Sequence, residues 1–192
     1  MDLQFLQAQQ QLLIRQRLRL MVNQYQVHAA APDGSEGPML AFAQQKRMAF
    51  KEQVTLYTDD TKQVPVLGFK ARQVMDFGAT YDITDAGGQP IGLFRKDFKA
   101  SLLRSTWVLE QPGLTPMRGQ ERSFPIALLR RFVESLSWLP YHFDFMMDGQ
   151  VAFSVEKKFA LRDRYVVNIH NPALDRRVVI AMAVGLDALQ GR

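Results

Sequence analysis

Six basic residues fall in three adjacent pairs, Lys46-Arg47, Arg95-Lys96 and Lys157-Lys158, and each pair follows a stretch that reads as a strand. Clustered guanidinium and ammonium groups suit a phosphate-bearing ligand, because they bring charge and several hydrogen-bond donors together. The middle pair has a further lysine nearby at Lys99. The ordinary alternative is that these cations stay solvated and discourage unwanted pairing of strand edges.

Elsewhere the side chains that could do chemistry are scattered. His28, His142 and His170 are far apart in the chain. His142 and Asp144 would share one strand face, since alternate residues point the same way. A metal site would need more converging ligands. Asp82, Asp85 and Asp148 lie at or beside turns, where aspartate serves the backbone. The chain has no phosphate-cradling loop ending in Lys-Ser or Lys-Thr, no dinucleotide fingerprint and no Gly-x-Ser-x-Gly elbow. The absence of cysteine removes disulfides, thiolate metal sites and cysteine nucleophiles together. These observations predict a protein that is not an enzyme, with no catalytic residue, no metal site and no cofactor.

The basic pairs sit inside an internal repeat, which an inspection for periodicity brings out. Leu40 to Leu56 aligns with Val151 to Val167 without a gap. Ala41, Phe42, Lys46 and Ala49 recur as Ala152, Phe153, Lys157 and Ala160, and Lys51-Glu52 as Arg162-Asp163. A third copy lies between, with Gly88-Gln89, Lys96 and Phe98 matching Gly149-Gln150, Lys157 and Phe159. A tyrosine opens each unit, at Tyr25, Tyr81 and Tyr141, and a turn follows: Pro32-Asp33-Gly34, Asp85-Ala86-Gly87-Gly88 or Met147-Asp148-Gly149. Asp-Gly and Gly-Gly supply the positive φ angles that tight hairpins require. Each unit then reads as strand, basic bend, strand.

Residues 11–31, 55–58, 64–73, 106–110 and 165–170 also carry the β-branched and aromatic residues that strands favour. Many short strands at this spacing predict a closed antiparallel β-barrel, since closure removes exposed edges. Two segments break the pattern. Between Ser123 and Leu139 the apolar residues Leu129, Phe132, Val133 and Leu136 fall at helical spacing, with Ser123 as a cap. Near the C-terminus, Asn171-Pro172 reads as a helix start, and Val178 to Leu186 carries no charge on any side. A helix apolar all round is buried or in lipid. This one is far shorter than the roughly 20 residues that span a bilayer, so it is expected inside the barrel. No transmembrane segment is predicted.

The 192 residues suit a single domain, 1–192, and a chain of this size buries roughly 70% of its unfolded surface without staples. The formal charge of +5 admits an anionic partner, although the basic residues run from Arg15 to Arg192 without a dense block. Nucleic acid is disfavoured, because no basic stripe with exposed aromatics is evident. The opening Met1-Asp2-Leu3-Gln4 has no basic segment followed by a cleavage site, so a cytoplasmic location is expected, peripheral to a membrane if lipid is bound.

The stretch Tyr81-Asp-Ile-Thr-Asp-Ala-Gly-Gly-Gln-Pro-Ile-Gly-Leu-Phe-Arg-Lys-Asp-Phe98, continued through Ser101 to Trp107, resembles the LURP-one-related group, and Leu174 to Asp187 resembles its terminal helix. That group belongs with the phospholipid scramblases and the tubby C-terminal domain. The resemblance runs from about Leu12 onward and implies a barrel of about twelve strands around a central apolar C-terminal helix. Tubby-like members bind phosphoinositides through basic residues outside the barrel, and scramblases are tied to lipid movement and calcium. Asp163 to His170 lacks the acidic cluster proposed to hold calcium before the helix, and the Cys-rich and Pro-rich leader of scramblases is missing. The resemblance therefore implies a non-enzymatic binding module for anionic phospholipid headgroups or a membrane-associated partner. The basic residues Lys46, Arg47, Arg95, Lys96, Lys157 and Lys158 are its candidate contacts. The alternative is a structural or regulatory protein–protein interaction protein with no lipid role.

Overall fold

A computed structural model describes residues 2–18, 22–46, 53–72, 80–97, 100, 105–122, 142–158 and 164–190. A short helix, α1 (Leu3–Gln7), precedes twelve strands. They are β1 (Gln11–Leu18), β2 (Val22–Ala30), β3 (Glu36–Lys46), β4 (Gln53–Tyr57), β5 (Pro65–Ala71) and β6 (Thr80–Asp85). β7 (Pro90–Lys96), β8 (Thr106–Glu110), β9 (Met117–Glu121), β10 (His142–Met147), β11 (Gln150–Lys158) and β12 (Arg164–Ile169) follow. The terminal helix α2 spans Arg176–Gln190. The amphipathic helix expected between Ser123 and Leu139 lies outside the described residues.

The strands form a closed antiparallel barrel in which each pairs with its sequence neighbours and β1 pairs with β12. Odd-numbered strands therefore run one way and even-numbered strands the other. The tight turns after β2, β6 and β10 all gather at one end, the turn end. At Asp148-Gly149 both residues have positive φ, 50° and 81°, as a two-residue hairpin turn demands. The opposite end receives the last residues of β3, β7 and β11, and is called the rim here.

Helix α2 enters at the turn end and runs to the rim through the barrel. Val178 to Val184 are at most 2% exposed. Burial of every face answers the all-round apolar sequence, and small residues set the fit: a Cβ on Gly185 would lie 2.8 Å from the Phe94 ring. The helix begins four residues after Pro172, because Asp175 is its cap, its Oδ1 accepting from the Arg177 amide at 2.9 Å. Arg176 is 4% exposed, and its guanidinium donates to the carbonyls of Gln9, Pro172 and Leu174 at 2.9, 2.9 and 2.6 Å. Gln7 accepts from the Arg176 amide and donates to Asp175, so α1 and the chain after it dock over the turn-end mouth.

The repeat is visible as hairpins β2/β3, β6/β7 and β10/β11, placed every fourth strand around the wall. The chain thus makes three four-strand units: β2–β5, β6–β9, and β10–β12 with β1. The gapless alignment of the first and third units does not hold through the barrel wall, however. Ala41 and Ala43 stand opposite Val27 and Tyr25 and face inward, whereas in β11 it is Phe153 and Val155 that face inward. A bulge falls at Leu40 in one hairpin and at Ala152 in the other, and one extra residue reverses the alternation. Phe42 and Phe153, aligned in sequence, occupy opposite faces.

Candidate functional site

The parallel direction of β3, β7 and β11 brings Lys46, Arg95, Lys96, Lys157 and Lys158 to the same end of the barrel. These residues close their strands and do not lie in bends, and that changes what each one faces. Neighbours in a strand point to opposite sides, so Arg95-Lys96 and Lys157-Lys158 are each split by the wall. Arg95 stands outside, 3.6 Å from Glu110, and Lys158 stands outside, 2.7 Å from Glu156. The hydrogen bond from Lys158 is the main reason the Glu156 carboxyl is held below its ordinary value. Lys96 turns inward, its ammonium 5.9 Å from the centre of the Trp107 ring. Lys157 also turns inward, 7% exposed and 5.8 Å from the Tyr165 ring centre. Lys46 pairs with Val22 at the end of β3. Arg47 lies outside the described residues.

Inside the rim, Asp187 near the end of α2 is the centre of a polar layer. Its carboxylate accepts from Gln16 Nε2 at 2.6 Å, from Tyr25 Oη at 2.8 Å and from Tyr165 Oη. A carboxylate so surrounded by donors is an anchor, because it ties the helix end to β1, β2 and β12 at once. Among the described residues no cluster of three His, Asp or Glu side chains could hold a metal ion.

On the outer wall the rim carries further cations that their sequence spacing does not advertise. Arg15 and Arg17 leave β1, Lys70 and Arg72 leave β5, Arg122 follows β9 and Arg164 opens β12. The turn end instead carries Asp33, Asp59, Asp60, Asp85 and Asp148. The seams between units give this wall a recurring arrangement. At the β5/β6 seam Arg72 grips Asp82, Nε to Oδ2 at 2.8 Å and Nη2 to Oδ1 at 2.7 Å. At the β9/β10 seam Arg122 grips Asp144 with the same two distances. Each carboxylate raises the pKa of its arginine through those hydrogen bonds. At the β1/β2 seam Arg17 holds the equivalent place, opposite Gln24 and one step from the inward Tyr25, but the acid's position is taken by Gln26. Only the strand register makes these residues equivalent, so no linear motif reveals them.

The model of the LURP-one-related family matches residues 39–187. The chain belongs to the LURP-one-related family. This family lies within the tubby-like superfamily, in keeping with the twelve-stranded barrel and its enclosed terminal helix. The match begins in β3, so the two strands that close this LURP-one-related barrel, β1 and β2, precede it. No curated protein matches the chain. Among the described residues no helix is long and apolar enough to cross a membrane.

Proposed function

We propose that this LURP-one-related protein is a non-enzymatic binding module whose basic rim meets anionic phospholipid headgroups at a membrane face. The observation that carries the reading is the division of charge along the barrel axis. Cations outnumber acids around the rim, where Arg15, Arg17, Lys70, Arg72, Arg95, Arg122, Lys158 and Arg164 stand on the outer wall. Acids dominate the hairpin turns at the other end. Such a molecule is oriented by an anionic surface, rim first, because the attraction and the repulsion act in the same sense. The outward members of the candidate set, Arg95 and Lys158, belong to this rim, while Lys96 and Lys157 contribute through the potential at its mouth.

The test is sedimentation with vesicles of phosphatidylcholine alone and of phosphatidylcholine mixed with phosphatidylserine. Binding is expected to the mixed vesicles only, at low ionic strength, and to fade as salt screens the surface. A surface cation is worth about 1 kcal/mol at an anionic membrane, so Arg95→Glu with Lys158→Glu should weaken binding at least about tenfold. A wild-type protein that ignores the mixed vesicles at low ionic strength would sink the lipid reading and leave the barrel as a protein-interaction scaffold.

A further inference from the structure

We propose that the turn end of one molecule docks on the basic rim of a second copy, so that the barrels stack head to tail. The inference goes beyond the membrane reading and needs no lipid. The first observation is which charges are left unpaired at the two ends. Asp33, Asp59, Asp60, Asp85 and Asp148 stand in or beside the hairpin turns, and Lys62 is the lone cation in those turns. Hydrogen bonds from Ser35 and Thr61 hold Asp33 and Asp59 below the usual carboxylate range, so both are charged at neutral pH. None of the five acids has an ion pair among the described residues, and Arg177 nearby is taken by Asp175 at 2.6 Å. At the rim, Arg15, Arg72, Arg95, Arg122 and Lys158 already have acids. Arg17, Lys70 and Arg164 have none among the described residues. The unpaired charges of the two ends are therefore opposite in sign.

The second observation is where apolar surface is left open. Among the described residues the exposed large apolar side chains are Leu3, Phe5, Val64, Met146 and Val151, between 36% and 55% exposed. All five lie at the turn end. Helix α1 buries Leu6 in the mouth and leaves Leu3 and Phe5 outside. Val64 precedes β5, and Met146 and Val151 are an opposed pair at the tip of the β10/β11 hairpin. Scattered exposed apolar residues are ordinary, but five confined to one end mark an interaction surface. The acids around them repel an anionic membrane, so the occupant is a protein that carries cations. The rim of another copy is such a surface.

The third observation is size. Twelve strands about 4.8 Å apart and tilted by about 40° close into a ring about 24 Å across. With side chains, each end of such a ring presents on the order of 800 Å². A standard protein interface takes about 800 Å² from each partner, so one end face suffices. The two faces lie at opposite ends of one axis, so a molecule can use both at once. Contacts between unlike faces have no built-in stop, and the product is an open stack, not a closed dimer.

The experiment is sedimentation velocity of the full chain, without lipid, at rising protein concentration and at two salt concentrations. The wild type is expected to form species larger than a dimer at low salt and to return to monomer at high salt. A turn-end variant carries Phe5→Ser, Asp60→Asn and Asp148→Asn; a rim variant carries Arg17→Gln, Lys70→Gln and Arg164→Gln. Each alone should associate about tenfold more weakly or less, while circular dichroism shows the fold intact. Mixed in equal amounts, each supplies the face that the other lacks, so the mixture should form dimers with the wild-type affinity and nothing larger. If the rim variant misfolds, Lys70→Gln with Arg164→Gln, both at exposed residues, takes its place. A wild type that stays monomeric at low salt up to about 1 mM overturns the proposal. So does a wild-type dimer that either variant preserves, or a mixture no more associated than its components. Vesicle binding is read separately with Arg95 and Lys158, so the membrane reading stands or falls apart from this one.

Discussion

His142 opens β10 opposite Glu156 on the outer wall, close to Arg122 and Asp144. Burial is the main influence on its imidazole and holds the pKa below the ordinary value, while Glu156 pulls the other way. Its Nδ1 is buried with no hydrogen-bond partner, which fits a ring kept neutral. The sign for stability follows directly. With the folded pKa below the unfolded one, the unfolded chain takes up more protons in the window that starts near the unfolded value and extends downward. Stability therefore falls as pH drops through that window. A His142→Gln protein should lose less of its melting temperature between about pH 7 and about pH 5.5 than the wild type does. An unchanged or steeper loss in the variant would show that His142 does not carry this dependence. The residue scale also explains why the basic pairs divide: Lys96 and Lys157 pack over rings inside, and Arg95 and Lys158 meet carboxylates outside.

The enclosed helix α2 owes its placement to both of its ends. At the turn end, Arg176 satisfies three carbonyls with a buried guanidinium, and Asp175 caps the first turn. Burial alone would raise the Asp175 pKa, but hydrogen bonds from Arg177 and Gln7 outweigh it and the net shift is downward. At the rim end, Asp187 gathers Gln16, Tyr25 and Tyr165. Removing that carboxylate strands donors in a closed interior, where each unmade hydrogen bond costs about 1–3 kcal/mol. Asp187→Ala should therefore lower unfolding stability by on the order of 3 kcal/mol in urea titration. Tyr165→Phe, which removes one donor and leaves Gln16 and Tyr25 donating to the carboxylate, should cost about a third as much. Equal losses in the two variants would mean that the anchor is not centred on Asp187.

Closure is the property that belongs to the whole molecule. The first strand pairs with the last, so residues at opposite ends of the chain must meet before any edge disappears. Contacts of such long sequence separation slow folding, toward the millisecond-to-second range of β-rich domains. The family match begins at residue 39, yet β1 and β2 complete the wall and supply Tyr25, Gln16 and the Arg15–Arg17 face. A fragment starting at Met39 would leave β3 and β12 with unpaired edges and the α2 anchor without two of its donors. It should elute as aggregate in size-exclusion chromatography and unfold without a cooperative transition. A monomeric fragment with a sharp transition would show that the matched region folds on its own.

Much of the architecture was legible in the residues. Turn dipeptides, alternating apolar positions and a terminal helix without a polar face leave little choice but a wall closed around a core, since those signals are local and each reports on its own few neighbours. The end of the barrel to which Lys46, Arg95, Lys96, Lys157 and Lys158 go was legible too, through the repeat. Which side of the wall each faces was not, because a bulge of one residue inverts the alternation and bulges at Leu40 and Ala152 leave no distinct mark in the sequence. The meeting of Arg15 with Arg164, and the substitution of Gln26 for the aspartate of the other seams, were likewise decided only in three dimensions. Arg15 and Arg164 become neighbours solely because the first and last strands pair, and that pairing is a property of the closed barrel as a whole.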